Sequence, residues 1–156
     1  AYVREVDGRT FKAELEARRC AKCGETLIPR TALLAADRAL TAVLASGSVG
    51  PEGFQWLRRA AGLPAQDLAG LMELTPGTVS RWENSKKPLE RRAVAIVTAL
   101  AREALGEPVN LRELLGNLAS GRKPAKRVRL EVRPAGGKAS GAEAARGQPA
   151  QRPRKG

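Results

Sequence analysis

Leu63-Pro64-Ala65-Gln66-Asp67-Leu68-Ala69-Gly70-Leu71-Met72-Glu73-Leu74-Thr75-Pro76-Gly77-Thr78-Val79-Ser80-Arg81-Trp82-Glu83-Asn84 is the stretch around which the rest of the chain can be placed. Leu68, Ala69 and Met72 recur at helical spacing and put an apolar stripe on one short helix, and Val79 and Trp82 put one on the next. Ala69 is small where two helices must cross closely. Thr75 is placed to cap the second helix and Pro76 suits its first turn. Gly77, Ser80, Arg81 and Asn84 stay polar or small on the outward side. Two short amphipathic helices joined by a tight turn read as a helix-turn-helix whose second helix runs from about Pro76 to Asn84.

Working outward, residues 51 to 119 are helical throughout, punctuated by Gly62-Leu63-Pro64, Leu74-Thr75-Pro76, Lys87-Pro88 and Gly106-Glu107-Pro108. The implied helices cover roughly 52 to 61, 65 to 72, 76 to 84, 89 to 104 and 110 to 119, each short enough to need its neighbours for burial. Upstream, Asp7-Gly8 marks a tight hairpin turn between Tyr2 to Val6 and Arg9 to Ala17, and the second strand is expected to lead directly into Cys20-Ala21-Lys22-Cys23-Gly24. Thr31 to Ala45 reads as a helix connecting two small modules. After Ser120 the chain is rich in Gly, Pro, Ala, Lys and Arg, with only Val128, Leu130 and Val132 hinting at a brief strand, and it is expected to be disordered. The fold class is therefore mainly α: a hairpin with a Cys-x-x-Cys, similar to part of a zinc ribbon, at 1-30; a connecting helix and linker at 31-50; a five-helix helix-turn-helix domain at 51-120; and a disordered basic tail at 121-156.

The net charge of +12 is unevenly spread. Residues 1 to 50 carry eight basic and six acidic groups, residues 51 to 120 nine and eight, and residues 121 to 156 eleven and two, giving +2, +1 and +9. A tail of that charge is drawn to polyanions, nucleic acid first, without reading sequence. The chain has no histidine, which removes the commonest general base and the Ser/His and Cys/His catalytic pairs. A non-enzyme is expected. No apolar run is long enough to span a bilayer and no signal peptide precedes the first structured segment, so a cytoplasmic protein is expected.

The Thr78-Val79-Ser80-Arg81-Trp82-Glu83-Asn84 segment, followed by Ser85 and Lys86, resembles the phage-repressor-like (XRE, Cro and C1-type) helix-turn-helix regulators over about Glu52 to Leu105. The resemblance implies a recognition helix in the major groove of double-stranded DNA. It also implies an ion pair between Arg58 on the first helix and Glu83 at the end of the recognition helix. Two positions depart from the family pattern. Ala65 stands where a phosphate-contacting glutamine is usual, with Gln66 one place late, and Glu73 stands at a turn position that is often glycine. Thr75, Pro76, Gly77, Thr78, Ser80, Arg81, Asn84, Lys86 and Lys87 are the candidate DNA-binding residues. Arg81 is the principal base reader, because bidentate Arg to guanine is the commonest specific contact. Thr78, Lys86 and Lys87 are assigned to phosphates, with Arg91 and Arg92 beside them. Val79 and Trp82 are assigned to the core.

Cys20 and Cys23 supply two of the four ligands that a structural zinc site needs. A redox pair and an inert remnant are the competing readings. The order hairpin, Arg19-Cys20-Ala21-Lys22-Cys23-Gly24-Glu25, connecting helix and repressor-like domain is similar to the antitoxin regulators of the MqsA family, which carry an N-terminal YgiT-type zinc finger. In that family an earlier Cys-x-x-Cys precedes the hairpin and would lie upstream of Ala1. The resemblance implies zinc as cofactor and a toxin protein as partner. The leading expectation is a sequence-specific repressor that binds operator DNA as a homodimer, since one short recognition helix reads too few base pairs alone. The alternative is a toxin-neutralising adaptor whose helix-turn-helix does not read DNA.

Overall fold

Asp7 and Gly8 take the positive φ angles of a tight turn, 51° and 68°. They join β1 (Tyr2–Val6) and β2 (Arg9–Ala13) into an antiparallel hairpin. The structure is a computed structural model describing residues 1–121 and 124–132. β2 ends four residues earlier than expected, because Ala13 is paired with Tyr2 at the start of β1 and the ladder has no partner beyond it. The cysteines therefore sit in a second hairpin of their own, between β3 (Arg18–Arg19) and β4 (Thr26–Leu27).

α1 (Arg30–Ala45) is not the connector that its position suggested. Ala36, Leu40, Leu44 and Ala45 belong to one continuous core that also holds Phe11 of the hairpin and Phe54, Leu57, Val79 and Trp82 further along the chain. The helices that follow are α2 (Pro51–Ala60), α3 (Ala65–Leu71), α4 (Pro76–Glu83), α5 (Arg91–Leu105) and α6 (Leu111–Ala119). Two arginines stitch α1 to α5 by capping carbonyls that helix ends leave open. Arg38 Nη2 donates to Leu105 O at 3.0 Å, and Arg102 Nε donates to Ala45 O at 3.1 Å. α1 and α2 are joined through Thr41 Oγ1, which accepts from Trp56 Nε1 at 3.0 Å and donates to Asp37 O at 2.7 Å. Tyr2 Oη donates to Asp37 Oδ1 at 2.5 Å, and burial with that bond pushes its phenol up to about 12, so it stays a protonated donor at neutral pH.

The hairpin turn is also locked to α2. The Asp7 carboxylate accepts the N–H groups of Gly50 (2.7 Å), Glu52 (3.0 Å) and Gly53 (3.1 Å), and Glu52 Oε2 accepts the Asp7 N–H at 2.6 Å. This is a reciprocal cap on the α2 N-terminus, supplied from more than forty residues away.

The segment 124–132 corrects the expectation of a disordered tail from residue 121. β5 (Arg127–Arg129) lies parallel to β2, with Phe11 opposite Val128, giving a sheet ordered β1-β2-β5. Val128, Leu130 and Val132 pack on the hydrophobic core. Val128 is registered beside Phe11, which is fully buried. Arg9 Nε fixes the approach to β5 by donating to Ala125 O at 3.0 Å. The rest of the expected tail, 122–123 and 133–156, lies outside the described residues.

Candidate nucleic-acid interface

α3 and α4 pack through Leu68, Ala69 and Val79, all essentially inaccessible to solvent. The turn between them closes with Leu74 N–H on Ala69 O at 2.8 Å and Glu73 N–H on Gly70 O at 3.2 Å. This is a Schellman ending, which needs a left-handed residue, and Glu73 supplies it at φ 54°. A side chain there costs about 1–2 kcal/mol relative to the right-handed region. α4 ends the same way. Ser85 takes φ 58°, with Lys86 N–H on Arg81 O at 2.8 Å and Ser85 N–H on Trp82 O at 3.3 Å. That ending turns Lys86 and Lys87 back beside the helix they follow.

Trp82 and Val79 point inward and are fully buried, with Trp82 edge-on to Phe54 at a centroid distance of 6.0 Å. Helical geometry then turns Pro76, Gly77, Ser80 and Arg81 outward, and all four are exposed, as are Thr75 and Asn84. Thr78 is half-buried. Thr75 does not cap the helix through its side chain; its hydroxyl lies 3.2 Å from Thr78 Oγ1 instead. Asn84 turns its amide back to Ser80 O at 2.8 Å and Ser80 Oγ at 3.2 Å, which commits its donors to the helix end. Lys87 Nζ stands 5.9 Å from the Trp82 ring centroid and 3.9 Å from Glu90 Oε1, whereas Lys86 has no ion-pair partner among the described residues. Arg91 and Arg92 are exposed at the start of α5.

The decisive comparison covers this unit. Residues 54–105, a third of the chain, match the family model described as Helix-turn-helix. The segment is a helix-turn-helix by that match. No curated protein and no solved structure matches the chain.

One ion pair fixes the pose of α4 within this helix-turn-helix. Arg58 Nε donates to Glu83 Oε1 at 2.6 Å and Nη2 to Oε2 at 3.1 Å, and Nη1 reaches Leu63 O at 2.7 Å. Gln55 Nε2 adds a bond to Glu83 Oε2 at 3.0 Å. The two side chains are 8 % and 6 % exposed, so the guanidinium and carboxylate find their partners in protein rather than water. The pair suggested by the family spacing is thus present. It ties the first helix of the domain to the last residue of α4.

Cys20 and Cys23 occupy the tip of the β3–β4 hairpin. Cys20 N–H donates to Glu25 O at 2.8 Å and Gly24 N–H to Cys20 O at 2.9 Å, with Gly24 at φ 74°. Donation from the Cys23 and Lys22 backbone N–H groups, with the Cys23 side chain adding a smaller effect, holds the Cys20 thiol below its ordinary range. The shift raises the share of thiolate at the knuckle relative to a free cysteine. Among the described residues no set of three or more His, Cys, Asp or Glu side chains is grouped to hold a metal. The knuckle brings two thiols together, two of the four ligands that a tetrahedral thiolate site would need. Two features of the surroundings escaped the sequence reading: the Asp7 cap on α2 and the placement of Arg127 and Arg129 beside Lys12. The Asp7-Gly8 turn and the alternating Val128, Leu130 and Val132 were their only local signals.

Proposed function

We propose that the chain is a sequence-specific transcriptional regulator, a repressor that holds operator DNA in the major groove with α4. The observation that carries the proposal is the division of α4. Val79 and Trp82 are fully buried while Gly77, Ser80 and Arg81 are exposed, inside the segment that matches the helix-turn-helix family. Arg81 is the one long donor side chain on the outer face of α4, and it reads a guanine edge. Thr78, Lys86 and Lys87 hold the backbone on either side, with Thr75, Pro76 and Asn84 shaping the two ends. Binding is as a homodimer, because two half-sites supply the selectivity that one short helix lacks. Among the described residues no helix is long and apolar enough to cross a membrane.

Zinc belongs to the same proposal. Cys20 and Cys23 would hold it, two further ligands would come from outside this knuckle, and the ion would supply a structural cross-link to a hairpin of two residue pairs that buries no side chain deeply. The N-terminal module is then the part to which a toxin partner docks; exposed Leu27 and Ile28 beside the knuckle supply apolar surface for it. Selection of binding sites from random duplex DNA tests the DNA reading. An enriched site with two related half-sites is expected, and no enrichment of any sequence would replace the repressor with the adaptor.

A further inference from the structure

The inner face of the three-stranded sheet is filled by Tyr2, Val6, Phe11, Ala13 and Leu130. Strand alternation turns Val3 and Glu5, Thr10 and Lys12, and Arg127 and Arg129 to the other side. The pairings Val3↔Lys12 and Lys12↔Arg129 put three of these in one row, and Glu5↔Thr10 and Thr10↔Arg127 put the others in the next. Lys12 thus stands directly opposite Arg129, with Arg127 two residues away on the same strand. Roughly 5 Å separates the strands and about 7 Å separates alternate residues along β5. Like charges directly opposite each other destabilise a sheet. Glu5 on β1 and Glu14 just past β2 also line this face, but none of the three cations has a carboxylate partner within ion-pair distance among the described residues. They line an open trough of about 810 Å³ on a platform that the Asp7 cap holds against α2.

We propose that Lys12, Arg127 and Arg129 form a second phosphate-binding surface, which takes duplex DNA backbone outside the stretch held by α4. An unpaired cluster of cations on a rigid sheet is relieved by a polyanion with regularly spaced charge. The basic run of sequence continues beyond β5, with Arg133, Lys138, Arg146, Arg152, Arg154 and Lys155 against Glu131 and Glu143. α4 packs on α2 and α3 and the trough faces away from the sheet's buried side, so the two surfaces take different lengths of backbone. This inference rests on the DNA reading of α4 for the local supply of duplex.

The test uses the full chain with Lys12→Gln, Arg127→Gln and Arg129→Gln combined, titrated against long operator-bearing and random duplexes over a range of salt. Affinity for both duplexes should fall together, and the slope of log K against log salt should become shallower by about two to three units. The variant should melt at the same temperature as the wild type or higher, because the repulsion between Lys12 and Arg129 is gone. That outcome separates a binding surface from a structural one. An unchanged slope, or a variant that melts earlier, overturns the second surface. With the Arg81 dependence intact, such a result leaves the function of α4 standing. A wild-type chain that binds no duplex overturns both.

Discussion

Replacing Asp7 with alanine removes the acceptor of three N–H groups at the start of α2. An ordinary N-cap contributes about 1 kcal/mol. Here Gly53 is buried and Gly50 half-buried, so at least one donor loses its partner where water reaches it poorly, at roughly 1–3 kcal/mol. The left-handed φ of 51° at Asp7 suits alanine less well than aspartate. Asp7→Ala should therefore destabilise by about 3 kcal/mol, and Asp7→Asn, which keeps one acceptor and the turn, by about 1 kcal/mol. Gly50 supplies the control. A Cβ there would lie 2.7 Å from Asp7 Oδ1, and its three nearest heavy atoms all belong to the Asp7 side chain. Gly50→Ala should destabilise the wild type and be close to neutral once Asp7 is alanine, a coupling that a double-mutant cycle isolates. Urea unfolding followed by the fluorescence of Trp56 and Trp82 reads all five proteins. Equal midpoints for wild type and Asp7→Ala, or additive effects in the cycle, would refute the cap.

Other outcomes follow from the same geometry. Glu83→Ala or Arg58→Ala leaves one charge of a pair less than a tenth exposed and should cost about 3–5 kcal/mol; melts matching wild type would reject the pair as a structural tie. Glu73→Gly should stabilise by about 1 kcal/mol, since glycine accepts the left-handed turn that Glu73 occupies, and an unchanged or lower melting temperature contradicts that. Zinc should bind tightly and in stoichiometric amount only where two further ligands reach Cys20 and Cys23. Stoichiometric tight zinc in a monomer of the chain 1–156, measured by metal analysis, would overturn the half-site.

The helix-turn-helix was legible because its information is local. The alternation of Leu68, Ala69, Val79 and Trp82 with polar neighbours sets both helices and their crossing, and Arg58 and Glu83 were placed by the family's spacing. What the sequence concealed are contacts between distant segments. α1 reads as a connector because its apolar positions do not say what they meet; in the structure Leu40 and Leu44 meet the hairpin and the helical domain in one core. The strand at Arg127–Arg129 lies in a stretch whose charge and glycine content point to disorder, yet three alternating apolar residues suffice once Phe11 needs covering. Capping of α2 by Asp7 leaves no mark on α2 itself beyond the glycines at 50 and 53, which lie against the carboxylate. Thr75 is the converse case. Its residue type and position suggest a cap, but the neighbouring Thr78 hydroxyl takes its side chain.

The most direct measurement of the central claim is a selection from random duplex DNA run in parallel with the wild type and with Arg81→Ala. The account predicts that the wild type enriches two related half-sites with a guanine at one position in each. Arg81→Ala should relax preference at that position alone, with about 1–3 kcal/mol lost on the selected site. Equal loss of affinity for selected and random DNA would make Arg81 a phosphate clamp and contradict the assignment of α4 as the helix that reads sequence.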